Sequence, residues 1–119
     1  MKTLALHAHD FAGMWEDLRD LAKALGKDPR PLERKLRARL DAVRRAVRGA
    51  RRKRVFCMEW LDPVYASGHW VPEMVERAGG RDGLARTRKD SYRVEWKELA
   101  AYAPETLVIM PCGLSLIHI

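Results

Sequence analysis

Between Glu59 and Glu73 the chain reads EWLDPVYASGHWVPE. Trp60, Tyr65 and Trp70 offer aromatic faces for stacking and apolar burial. His69 can donate a hydrogen bond or reach a metal centre. Glu59 and Asp62 can accept hydrogen bonds or orient the loop. All stand in one connection between a short apolar run, Val55-Phe56-Cys57-Met58, and a helix-like run ending at Gly79-Gly80. In an α/β protein, the carboxyl ends of parallel strands face the ligand crevice, and loops there carry function. Aromatic walls with a few polar groups make ligand sites. The ligand-binding candidates are therefore Glu59, Trp60, Asp62, Tyr65, His69 and Trp70; the competing reading packs both indoles against the sheet. No nucleophile elbow and no paired acid–base arrangement accompanies them, so no catalytic residue is assigned.

Other residues could do different chemistry. His7-Ala8-His9 would share a strand face, and two imidazoles on one face can meet one metal. A metal-dependent hydrolase using His7 and His9 is one alternative, with His69 and Asp62 or Glu59 as the remaining ligands. Cys57 and Cys112 lie in or beside apolar runs, where a thiol is a buried, inert group. Gly79-Gly80-Arg81-Asp82-Gly83 follows a helix and not a strand, so it reads as a turn and not a phosphate loop. The net charge is +7, and basic residues crowd Arg30 to Arg54. A basic nucleic-acid-binding helix is thus a second alternative. The same segment, however, spaces Leu32, Leu36, Leu40, Val43 and Val47 as one helical stripe, and Arg34, Arg37, Arg44, Arg45, Arg48 and Arg51 fall mostly off it. No aromatic is interleaved with the arginines, and no nucleic-acid partner is expected.

The pattern EWLDPxxxxGHWVPEMVxxAGG, Glu59 to Gly80, resembles the solute-binding proteins of ABC importers for cobalamin and iron–siderophore complexes, and most of all the cobalamin-binding branch. The similarity continues through Ser91-Tyr92-Arg93-Val94-Glu95-Trp96-Lys97-Glu98-Leu99 and through Pro104 to Gly113. Upstream, Leu4 to His9 followed by Asp17-Leu18-Arg19 is similar to the family's strand entering its linking helix. The resemblance implies a fragment of a two-lobed, periplasmic-binding-protein-like α/β fold. A long helical interlobe connection would lead into a parallel βαβ half-lobe. Residues 1–9 would be the last strand of the N-terminal lobe, 10–53 the helical connection, and 54–113 the start of the C-terminal lobe. The implied ligand is cobalamin or another corrinoid, with a ferric siderophore or haem as alternatives, and the resemblance implies binding without catalysis. No separate cofactor or metal is implied. The implied partner is an ABC transporter permease, and the implied location of the parent is periplasmic or extracytoplasmic at the membrane. No signal peptide is read at Met1-Lys2, and no apolar run reaches transmembrane length. Leu114 to Ile119 matches the peptide encoded by a sequencing adapter read in frame, and is set aside as read-through.

The elements that must position these residues follow from pattern. The chain has 119 residues and is 47% hydrophobic, enough for one modest core. Thr3 to His7 reads as a strand. Asp10 caps a helix carrying Phe11, Met14, Trp15, Leu18, Leu21, Ala22 and Leu25, ended by Gly26. Asp28 caps a second helix with Pro29 in its first position. Val55 to Met58 is a strand, Pro72 to Ala78 a short helix, Arg81 to Asp90 a polar loop, Ser91 to Val94 briefly extended, and Glu95 to Tyr102 a helix. Thr106 to Met110 is a continuous apolar run that suits a buried parallel strand beside Val55 to Met58.

Overall fold

A computed structural model describes residues 3–111; Cys112 and the Leu114 to Ile119 tail lie outside the described residues. Helix α1, Phe11–Ala24, begins as the sequence dictates: the Asp10 carboxylate accepts the Gly13 N–H at 2.8 Å. Helix α2, Arg30–Ala46, starts one residue later than expected, with Pro29 at the cap position, while Asp28 Oδ1 accepts the Arg30 N–H at 3.0 Å. Terminal turns shift by a residue with little energetic consequence. Of the α2 stripe, Leu36, Leu40 and Val47 are half-buried, but Leu32 and Val43 are 45% and 43% exposed. A single helical stripe is expected to face protein, but this holds for only three of the five; Val43 lines an open groove between α1 and α2. Thr3 to Ala8 is a second correction: it forms no strand. No sheet edge pairs with it, and an isolated strand has no ladder to stabilise it. Its chain is tied instead by the Ala8 N–H to Asp17 Oδ2 at 2.9 Å.

Strand β1, Lys53–Leu61, overruns the apolar run at both ends. It turns at a cis Asp62–Pro63 bond into β2, Val64–Ala66, which returns antiparallel with Met58 opposite Ala66 and Leu61 opposite Val64. The connection read as one loop thus contains a hairpin. Helix α3, Val71–Arg77, follows, and then β3, Gly80–Arg81, pairs parallel with Lys53 and Arg54. The turn expected at Gly79-Gly80-Arg81 is therefore partly a strand. Gly80 makes this possible: a Cβ there would stand 2.8 Å from Val55 Cγ2 and 2.9 Å from Val75 Cγ1. Strand β4, Tyr92–Arg93, adds antiparallel to β2. Helix α4, Trp96–Tyr102, opens on a capping box between Glu95 and Glu98 and closes at Ala103 in the left-handed region. Strand β5, Thr106–Ile109, lies parallel to β1, pairing Val55 with Thr106 and Met58 with Ile109. That is the pairing the two apolar runs predict, but β5 is exposed along its length and not buried as expected, because among the described residues only β1 pairs with it.

The core sits on one side of this sheet. Phe56 (0% exposed), Met58, Val64, Ala66, Val94 and Leu99 form it, with Leu61, Leu84, Tyr92 and Tyr102 packed around. Tyr102 locks the covering segment: its hydroxyl donates to the Arg81 carbonyl at 2.6 Å and accepts the Gly83 N–H at 2.9 Å. The basic hinge has a structural task. Arg51 grips both oxygens of the Glu105 carboxylate, and Oε2 also accepts the Arg54 N–H at 3.0 Å, fixing the entry of β5 against β1.

Candidate ligand-binding site

Three layers of apolar residues converge beside the sheet. Phe11, Trp15 and Leu18 of α1 face Leu36 and Leu40 of α2, and Trp70 and Met74 close the end; together they bound a groove of about 580 Å³. A smaller hollow of about 320 Å³ adjoins it and shares Leu6, Ala8, Asp17 and Trp70. This hollow is more polar than the groove, for His7, His9 and His69 line it. Among the described residues, Trp70 is the one aromatic side chain that lines both the apolar groove and the mouth rich in histidine. An apolar cavity of this size with a few convergent polar groups is the usual form of a small-molecule site.

The backbone around the mouth is held firmly. His69 stands at φ +52°, in the left-handed region. Its N–H donates to the Lys89 carbonyl at 2.7 Å, and its carbonyl accepts the Arg88 N–H at 3.2 Å. Gly68 permits this junction: a Cβ there would meet the Lys89 oxygen at 2.3 Å. The His69 Nε2 lies 3.1 Å from Asp90 Oδ1, its ring stacks on His9 with centroids 5.5 Å apart, and Trp70 leans on it at 5.7 Å. Arg88 reaches across to Asp10 at 2.8 Å. Asp10 consequently has its carboxyl held below the usual range, first by the Gly13 N–H and then by Arg88. Ser67 Oγ is buried beneath this junction without a hydrogen-bond partner.

The six sequence candidates divide into two groups. His69 and Trp70 stand at the mouth. Glu59, Trp60 and Tyr65 line a separate hollow with Pro63 at the hairpin tip. There Glu59 accepts the Ser91 hydroxyl, and the Trp60 indole N–H donates to the Asp62 carbonyl at 3.1 Å. Strand rise puts the tip roughly 10–15 Å from Gly68. The expected strand-end metal pair is not formed, because residues 7–9 are not on a strand. His9 instead joins His69 and Asp90, with donor atoms within 4.8 Å of one another. Neither Asp62 nor Glu59 enters that group. Cys57 is buried and free, and burial, with Asp82 and Glu59 nearby, pushes its thiol up to about 11. Sequence reading missed Asp90, which stands far along the chain in a polar loop. It also missed Trp15 and Met74 as site walls, although their helical spacing marked them as apolar-face residues.

No family model matches the chain, and no curated protein matches it. Solved structures do. An ABC transporter substrate-binding protein from Listeria monocytogenes EGD-e superposes over 95% of this chain and 46% of its own, with a TM-score of 0.78 and 14% identity. A periplasmic binding protein from Veillonella parvula dsm 2008 covers 91% of this chain and 38% of its own, with a TM-score of 0.74 and 20% identity. The periplasmic vitamin B12 binding protein BtuF of Vibrio cholerae covers 87% and 42%, with a TM-score of 0.68 and 15% identity. The fold is part of the periplasmic-binding-protein fold. The chain spans less than half the length of each of these proteins.

Proposed function

We propose that this chain supplies the helical connection and part of one lobe of an ABC importer's solute-binding protein, and that the protein takes up a corrinoid without chemical change. The observation that carries this reading is Trp70, which closes the apolar groove and stands beside the His69 mouth. A broad, largely apolar ring system gains most from such a wall, by stacking and by area removed from water. The hairpin group of Glu59, Trp60, Asp62 and Tyr65 is a second contact region, and a ligand that meets both must span roughly 10–15 Å. That favours a large ring ligand over a small solute. Residues 10–53 serve as the interlobe connection and residues 54–113 as the start of the second lobe. The partner is the importer's permease, and the site of action is outside the cytoplasm.

The test is a ligand screen by tryptophan fluorescence on the two-lobed protein carrying this chain, with cyanocobalamin, a ferric siderophore and haem as probes. Saturable quenching by cyanocobalamin at the lowest concentration supports the proposal. Saturation by haem or the siderophore alone would transfer the site to that ligand class, and quenching by none would reject solute binding of this kind.

A further inference from the structure

We infer that His9, His69 and Asp90 form a binding site for a divalent transition-metal ion of the Zn²⁺ class. The inference is independent of the corrinoid reading. Two imidazoles and one carboxylate are a recurrent ligand set for Zn²⁺ and neighbouring metals, and three protein ligands leave a position open. Zinc–ligand bonds of about 2.0–2.2 Å in a tetrahedron place adjacent donors roughly 3.3 Å apart. The His69 Nε2 and Asp90 Oδ1 already stand 3.1 Å apart, and all three donors fall within 4.8 Å of one another. Closing on a cation therefore needs small side-chain movements and no change of fold.

The scaffold holds the backbone that carries two of the ligands, His69 and Asp90, while the Asp90 side chain is itself exposed. The 68–70 and 88–91 segments are stitched by the His69 and Arg88 backbone bonds, and they touch closely at Gly68. The segment carrying His9 is joined to the same loop by the Arg88–Asp10 ion pair at 2.8 Å. This pair also offsets the Arg88 guanidinium charge, which would otherwise oppose a cation. His9 is the adjustable member. Its ring stacks on His69 at an interplanar angle of 26°, and near-parallel rings cannot both aim a lone pair at one ion. Because His9 is exposed, its ring can swing edge-on without displacing packed atoms. His7 lines the same hollow but is not among the three donors.

The test titrates Zn²⁺ into the 119-residue chain by calorimetry, with Co²⁺ absorption as a direct report of ligand geometry. One equivalent should bind. His9→Ala, which alters an exposed side chain outside the stitched junction, should weaken binding at least tenfold, since even outer-shell changes cost 10–100-fold. Asp90→Asn should do the same, with far-ultraviolet circular dichroism unchanged from wild type. His7→Ala should leave the affinity unchanged, because His7 is not among the three donors. No binding by the folded wild-type chain, an undiminished His9→Ala affinity, or a loss on His7→Ala equal to that on His9→Ala would each overturn the inference.

Discussion

Glu105 shows how much one side chain can organise. Arg51 and the Arg54 N–H hold its carboxyl down to about 2. A depressed folded-state value means that its contribution is complete above the ordinary carboxylate value of about 4.3 and is lost as pH falls towards 2. Glu105→Gln should therefore lower the unfolding midpoint at neutral pH and flatten its acid dependence between about 4.5 and 2; thermal unfolding across that range checks both. Cys57 makes the opposite case. With its thiol raised to about 11 and its side chain buried, it should resist iodoacetamide at pH 7.5 in the folded chain and react only on unfolding. Rapid alkylation of native protein would show that the core opens there. The inertness of Cys57 was legible in the sequence, because a thiol inside VFCM has only apolar neighbours in the chain. The company of His69 was not: Asp90 stands 21 positions away, and only the fold brings the two together.

At the level of elements, periodicity and breakers told most of the story. Asp10 and Gly26 bound α1 as capping chemistry requires, and the runs VFCM and TLVIM are parallel neighbours. What periodicity could not show was pairing over short range. Glu59 to Ala66 holds too few residues for alternation to separate a hairpin from a loop, so the β1–β2 return stayed hidden. The stripe on α2 was readable, yet its covering depends on neighbours that no helical period specifies. Part of the basic face is engaged within the chain. Arg37 lies over Trp15 at 4.3 Å, Arg44 is 3.4 Å from Asp41, and Arg51 and Arg54 serve Glu105. The junction at Gly68 yields a prediction at this scale. Gly68→Ala must push the 88–91 segment away, since the added Cβ would also meet Asp90 C and Ser91 N at 2.7 Å. The expected cost is about 1–3 kcal/mol, as for overpacking, read as a lowered denaturant midpoint. Amide exchange should quicken at His69 and Arg88 and not at Phe56.

For the whole molecule, the arrangement is a small sheet with its core on one side and an amphipathic helix pair reaching away to frame a groove. The described residues leave Leu107, Val108 and Ile109 of β5 well exposed, and only β1 pairs with that strand among them. Architecture of this sort suits a ligand held between parts and not within one, and the proposal stands on Trp70 at the boundary of groove and mouth. The most direct measurement is calorimetric titration of cyanocobalamin into the two-lobed protein carrying this chain, wild type against Trp70→Ala, with Trp60→Ala alongside. Wild type should bind one equivalent. Trp70→Ala should lose about 1–3 kcal/mol, as for removal of a well-stacked aromatic contact, and Trp60→Ala should lose less. Equal affinity of wild type and Trp70→Ala, or no heat of binding from the wild-type protein, would contradict the account.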